Sequence, residues 1–235
     1  MTEPLVTIIT PTINSKFLPR ALDSVANQTY RKIQHLVVFD GNHGAIRPEC
    51  KIGSHVDIIQ LPYSTGYVGH RIYGACIFLA KGDYLCFLDD DNWYESNHIA
   101  SLIEVVRKGF PWSYSLRKIV NSEGKFICND DCESLGQWHS YLAENDFHID
   151  TNCYFLAKHL ALQLSPVWHH PKTVDRRLCS ALLQNRIKGE TTGKYTVNYH
   201  VGNRPDSVQA EFFIRGNEIM QKKYGGRYPW RMRGK

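Results

Sequence analysis

Leu5-Val6-Thr7-Ile8-Ile9-Thr10 is a short apolar, β-branched run halted at Pro11, the pattern of a central parallel strand buried on both faces. After Asn14 or Ser15 as a cap, Phe17, Leu18, Ala21, Leu22, Val25 and Ala26 recur at helical spacing, with Lys16, Arg20, Asp23 and Asn27 opposite them. An amphipathic helix packed on a sheet is expected there. Ile33 to Phe39 reads as a second strand ending in Asp40-Gly41, and Val56 to Leu61 as a third,. A turn over 62–66 leads into an apolar helix from about Tyr67 to Ala80, and Asp83 to Leu88 forms a fourth strand,. Alternating strands and helices call for a parallel sheet with right-handed crossovers. A helix from about Glu95 to Lys108 follows, and there the alternation ends. Trp112 to Val120 and Lys125 to Cys128 flank Asn121-Ser122-Glu123-Gly124, a hairpin signal,. Residues 129–150 are polar and carry no clear period. Beyond them come a strand over 151–157, a helix opened by Asp175, a late strand from Tyr195 to Val201 and a final helix from Val208 to Lys223.

Composition adds bounds rather than chemistry. A chain of 235 residues with 43% hydrophobic positions is expected to form one globular domain with a sizeable core. Its start lacks the basic and apolar regions of a signal peptide, and no run reaches transmembrane length, so the default compartment is cytosolic. Seven scattered cysteines do not make a disulfide framework, and Cys128, Cys132 and His139 lack the spacing and second pair of a zinc site.

The net charge of +5 resides in the last 21 residues, where seven Lys or Arg stand against Glu218. A near-neutral body with a basic tail argues against a nucleic-acid binder. With Tyr224, Tyr228 and Trp230 among its cations, the tail suits either peripheral contact with an anionic membrane or a solvated end or subunit contact.

The chemistry concentrates at Phe87-Leu88-Asp89-Asp90-Asp91-Asn92. Three adjacent carboxylates at a strand end repel one another unless a cation or polar ligand sits among them. Hard oxygen ligands suit Mg2+ or Mn2+, and an acidic helix cap is the alternative. Ligands of open parallel sheets bind at the carboxyl ends of strands, where Thr10, Asp40 and Asp89 to Asp91 all fall.

Four stretches carry a resemblance. They are Val6-Thr7-Ile8-Ile9-Thr10-Pro11-Thr12, the helix end Ala21 to Tyr30, Val38-Phe39-Asp40-Gly41, and Lys81-Gly82-Asp83 through Asp91. Their order resembles the family 2 glycosyltransferases, strongly over residues 5 to about 95 and more loosely to the final helix. The resemblance implies an α/β chain of the GT-A fold: one domain, with a Rossmann-like, mostly parallel sheet, helices on both faces and a mixed C-terminal half. Residues 1–95 would bind the nucleotide sugar, 96–214 would hold the acceptor and base, and 215–235 would form a basic helix and tail.

It further implies metal-dependent, inverting transfer from a nucleotide diphosphate sugar, UDP- or dTDP-linked, to a glycan or lipid-linked acceptor hydroxyl, in glycan or polysaccharide biosynthesis. By position, Thr10, Pro11 and Thr12 line the nucleoside, Asp40 accepts from the base, Arg71 contacts the nucleotide or its diphosphate, Asp89 serves the ribose or a metal-bound water, and Asp90 belongs to the nucleotide site without a separate role. Asp91 and His200 would hold a divalent Mn2+ or Mg2+, and Asp175 would be the general base. Two positions depart from the family's pattern, His70-Arg71-Ile72 for Ala-Arg-Asn and Val174 for the Glu before the base. An exposed helical Arg71, a first-turn Asp175 paired with Arg176 or Arg177, and a structural His200 are the alternatives.

Trp93, His148, Asp150, Trp168 and His169 are candidates for the acceptor pocket, since aromatic faces stack on sugars and polar groups bond hydroxyls. A sugar nucleotidyltransferase is the second reading, but Pro11 to Lys16 lacks a glycine-rich phosphate loop. A catalytically reduced nucleotide-sugar-binding module is the third.

Overall fold

The computed structural model describes residues 3–44, 46–202 and 207–232. Arg233 and Lys235 of the basic tail lie outside the described residues. The strands are β1 (Val6–Thr12), β2 (Ile33–Phe39), β3 (Val56–Gln60), β4 (Tyr84–Phe87), β5 (Trp93–Tyr94), β6 (Trp112–Val120), β7 (Phe126–Asn129), β8 (Tyr154–Ala157) and β9 (Glu190–His200). The helices are α1 (Leu18–Ala26), α2 (His70–Cys76), α3 (His98–Val106), α4 (Lys158–Leu164), α5 (Val174–Gln184) and α6 (Ala210–Tyr224).

Among the described residues these strands form one sheet in the order β3-β2-β1-β4-β8-β6-β9-β5, with β7 beside β6. β1 pairs in parallel with β2 and β4, and β2 with β3. All seven residues of β1 are buried, as are all seven of β2, which is what their unbroken apolar runs require. β8 runs antiparallel between β4 and β6, and β9 then runs parallel to β6. The parallel half and the mixed half are therefore one continuous sheet.

The amphipathic α1 buries Leu18, Ala21, Leu22 and Val25, the spacing expected of a helix lying on strands. The carboxylate of Asp83 accepts a 2.8 Å hydrogen bond from the Leu5 amide, which pins the start of β4 against β1. Next to it, a Cβ on Gly82 would come within 2.5 Å of the Thr7 nitrogen, so only glycine fits there.

The expected helix over 67–80 is shorter than its apolar pattern suggests. Gly66, Tyr67, Val68 and Gly69 all have positive φ, at 66°, 55°, 48° and 81°, and this left-handed run delays the helix to His70. The late strand, in contrast, begins at Glu190 rather than Tyr195.

The polar segment 129–150 folds inward around one cation. Arg117, on β6, is 1% exposed and donates to Asp130 at 2.8 Å, Glu133 at 2.5 Å and Asp150 at 2.5 Å. Its guanidinium also lies over the Tyr199 ring, 4.2 Å from the centroid. Burial alone would push the Asp130 carboxyl up, but the charge and hydrogen bond of Arg117 outweigh it and hold Asp130 below the usual range,.

Among the described residues of the basic tail, two aromatic side chains dock on the body. Tyr228 and Trp230 are buried and stack with ring centroids 5.0 Å apart. The Trp230 indole N–H and the Arg231 Nε donate to Asp131 at 2.8 and 3.0 Å. Tyr224 is half-buried beside them, and Lys222, Lys223, Arg227 and Arg231 remain exposed. No helix among the described residues is long and apolar enough to cross a membrane.

Candidate functional site

The carboxyl ends of β1, β2, β4 and β9 open on one cleft of about 540 Å³. Pro11, Thr12, Asp40, Asp89, Asp90, Asp91 and His200 all line it. These are most of the residues that the sequence assigns to nucleotide and metal, drawn from positions up to 189 residues apart.

The backbone joins the first two strand ends, because the Asp40 amide donates to the Thr12 carbonyl at 2.9 Å. Thr12 then donates through Oγ1 to Asp90 at 2.5 Å, which ties β1 to the acidic cluster. Asp40 accepts from the Thr65 amide at 2.5 Å and from the Ser64 hydroxyl at 3.2 Å. A carboxylate has about four acceptor sites, so capacity for a further donor remains.

Asp89 is braced on every side. Its Oδ1 accepts from the buried Tyr73 hydroxyl at 2.7 Å and its Oδ2 from Asn152 Nδ2 at 2.8 Å, while its amide donates to Asn152 Oδ1 at 2.7 Å. Burial, then the charges of Asp91 and Asp150, raise its carboxyl to about 8 against the opposing bonds of Asn152 and Tyr73. A carboxyl so raised marks a place where positive charge is favoured.

His200 is 3% exposed, and neither of its ring nitrogens has a hydrogen-bond partner. Its backbone amide donates to Asn92 Oδ1 at 2.9 Å, and Trp93 pairs with Asn198 where β5 meets β9. The residues on either side of Asp91 and His200 are thus stitched together. Burial, then Arg20 and Lys16, lower the His200 imidazole, so its neutral, metal-binding form is favoured. A carboxylate and an orphaned neutral imidazole at one cleft fit a divalent cation. Among the described residues no three His, Cys, Asp or Glu side chains could hold one unaided.

Asp175 sits in the first turn of α5 with its side chain 28% exposed. It accepts from the Thr151 hydroxyl, and His148 Nε2 lies 3.6 Å from its Oδ2. Burial pushes its carboxyl up, but the proximity and charge of His148, then the Thr151 hydrogen bond and His70, leave it below the usual range. His70, which interacts with it electrostatically, lines the cleft. The alternative of a first-turn charge pair meets a competitor: Arg176 binds Asp146 at 2.6 Å and Glu133 at 3.1 Å instead.

Four assignments need correction. Thr10 is fully buried, its hydroxyl 2.9 Å from His35 Nε2, so its side chain lies beneath the cleft rather than in it. Trp168 is 0% exposed and packs on Phe87 and Tyr73, 4.6 and 5.2 Å between centroids, which leaves no face for a sugar. Asp150 is spent on Arg117 and Asn152. His148 is buried behind Asp175 and is no acceptor wall.

The remaining candidates differ in standing. Trp93 is half-buried with the Arg20 guanidinium 3.6 Å from its centroid, so one face is taken. Arg71 stacks on Tyr67 at 3.9 Å and reaches Thr65 O at 3.5 Å, beside the loop that caps Asp40. His169 is exposed and lines a separate pocket with His170, Arg176 and Arg177.

Sequence reasoning missed Tyr73, Asn152, His70, Tyr199 and Arg20. Tyr73 lies on the buried face of α2 and reads as core, and Asn152 is 63 residues from the carboxylate it braces. Arg20 reads as the solvent side of α1, yet its Nε and Nη2 are buried without partners.

A family model described as glycosyl transferase family 2 matches residues 7–165. Over 110 residues the chain is 30% identical to Glycosyltransferase GlyA of Streptococcus pneumoniae, covering 45% of this chain and 16% of that protein. Over 130 residues it is 32% identical to an uncharacterized glycosyltransferase of Rickettsia bellii, covering 53% of this chain and 19% of that one. The chain thus spans less than a fifth of the length of either relative. Among solved structures it is similar to S. aureus TarS 1–349 in complex with UDP-GlcNAc, with a TM-score of 0.64 at 14% identity, covering 93% of this chain and 65% of that one. The same protein in complex with UDP gives 0.63 at 13% identity, covering 94% and 66%. Likeness at that identity speaks for the fold.

Proposed function

The chain belongs to glycosyl transferase family 2 and has the GT-A fold, and we propose that it transfers a sugar from a UDP- or dTDP-sugar to an acceptor hydroxyl with inversion. One observation carries this reading: Asp40, Asp89, Asp90, Asp91 and His200 converge on a single cleft at the carboxyl ends of the strands, with Asp175 at its side. That TarS was solved with UDP-GlcNAc and with UDP supports a uridine diphosphate donor here as well.

In this proposal residues 1–95 hold the donor and the following half brings the acceptor. Asp40 accepts the ring N–H of uracil or thymine, a match that bases with only acceptors there would lack. Pro11 and Thr12 line the nucleoside, and Asp89, already rigid, meets the ribose side. Asp91 and His200 would hold a divalent Mn2+ or Mg2+, which when bound would supply positive charge for the departing diphosphate. Asp175 takes the proton of the acceptor hydroxyl as its oxygen attacks C1 from the face opposite the diphosphate. The C1–oxygen bond to the diphosphate breaks with its electron pair, and the anomeric centre inverts.

Incubation with a panel of UDP- and dTDP-sugars and Mn2+ tests the reading. Transfer or donor hydrolysis is expected, and EDTA is expected to remove it. Asp91→Asn should reduce turnover by about 10²-fold, the effect of losing about 3 kcal/mol of charge stabilisation, and should weaken the dependence on Mn2+. A panel without nucleotide binding by calorimetry, or activity indifferent to EDTA, would refute metal-dependent transfer.

A further inference from the structure

Asp175 is backed by an imidazole drawn from an irregular segment 27 residues earlier. His148 is 4% exposed, and its two nitrogens face two acids: Nε2 lies 3.6 Å from Asp175 Oδ2, and Nδ1 lies 3.7 Å from Glu133 Oε1. Neither nitrogen has a hydrogen-bond partner at shorter range. Carboxylates only accept, so an imidazole satisfies both flanks only when both nitrogens carry protons. Contacts of this length at a catalytic base commonly tighten when substrate binds.

Glu133 is itself immobilised, because Oε2 accepts from Arg117 at 2.5 Å and Oε1 from Arg176 at 3.1 Å. The other charged groups facing this corner are Asp146, bound to Arg176, and Asp130 and Asp150, bound to Arg117. His70 faces Asp175 from the cleft side. Carboxylates therefore outnumber cations around His148, and both ring nitrogens face acceptors.

We propose that His148 is a positioning residue for the base, with Nε2–H holding Asp175 Oδ2 and Glu133 fixing the ring through Nδ1. The imidazole keeps Asp175 ionised and orients the carboxylate toward the acceptor hydroxyl, without itself touching substrate. This role rests on Asp175 being the base.

The test needs one readout without substrate and one with it. Aspartate labelled with 13C at Cγ reports the Asp175 titration directly, the signal being assigned by its loss in Asp175→Asn. In His148→Gln, which keeps an amide N–H donor but carries no charge, the Asp175 titration should move to higher pH by about one unit, the size of effect expected for a lost neighbouring charge. The acid limb of kcat/KM for hydrolysis of a UDP-sugar should move by the same amount. At pH 7, where Asp175 stays ionised in the variant, kcat should still fall roughly tenfold because the carboxylate is no longer held in one orientation, while the donor KM stays unchanged.

His148→Asn gives a second chance of a folded variant, and thermal unfolding checks both. A lowered Tm with an unmoved Asp175 titration would mean that His148 only fills space, which overturns the proposal. If the titration moves but Asp175→Asn keeps wild-type turnover, the base assignment fails, and the positioning role falls with it. A moved titration, a moved acid limb and an inactive Asp175→Asn together establish the role.

Discussion

Asp175→Asn should reduce sugar transfer by about 10²- to 10⁴-fold, the usual contribution of a positioned general base, with nucleotide affinity nearly unchanged. Asparagine matches the carboxylate in shape and can still accept from the Thr151 hydroxyl through its one oxygen, while its amide nitrogen, facing His148, cannot accept from the imidazole. What it lacks is the ability to take a proton. Asp175 does not line the cleft assigned to the donor, which is why calorimetric binding of the nucleotide should survive. The carboxyl is held below its ordinary value, so it is ionised throughout the neutral range. The part of the pH profile that Asp175 sets should accordingly be flat near pH 7, its acid limb lying below the ordinary carboxylate range. Initial rates across pH, beside nucleotide titrations, measure both; an Asp175→Asn enzyme at native turnover would remove the residue from the mechanism.

Arg117→Met should cost about 3–5 kcal/mol of stability, the range found when one partner of a buried ion pair is removed. The size follows from what is left behind: Asp130, Glu133 and Asp150 each lose a hydrogen-bonded cation while remaining buried. Folded domains have about 5–15 kcal/mol in total, so this one change uses a large share. The pH dependence has a definite sign. Asp130 has a depressed carboxyl in the folded state, so the stability it contributes is present above its unfolded value of about 3.9 and lost as pH falls through the folded value. In the variant the unpaired acids rise instead, and mild acid protonates them and relieves the strain. Urea denaturation should therefore show the full gap between native and variant at pH 7 and a narrowing gap toward pH 4. A gap that is small, or equal at both pH values, would show that the cluster does not hold the segment in.

The parallel half of the fold was legible because its strands are buried on both faces, and the hydrophobic runs of β1, β2 and β4 therefore stand out against polar turns. The acidic cluster was legible for a related reason: a run of carboxylates directly after a buried strand has to emerge at a sheet edge. Residues 129–150 were opaque because Asp130, Glu133 and Asp150 look like a solvated surface, and only in space do they close on Arg117. Partners far apart in the chain, such as Asn152 with Asp89 or His148 with Asp175, leave no local pattern. Trp168 carries the same ambiguity in another form, since a tryptophan suits a sugar platform and a core equally well. Thr10 and Thr12 share one face of β1, yet only Thr12 reaches the rim; two residues of depth separate a cleft wall from a buried bond to His35.

The left-handed run over residues 66–69 places heat resistance and catalysis under different selection. Val68 keeps φ at 48° although the residue is 69% exposed. A β-branched residue in that conformation costs on the order of 1–2 kcal/mol, more than the ~0.5–1 kcal/mol of chain entropy that glycine would lose. A library sorted only for survival at high temperature should therefore gather Val68→Gly early. A library sorted for turnover would judge the same position by the cleft it borders.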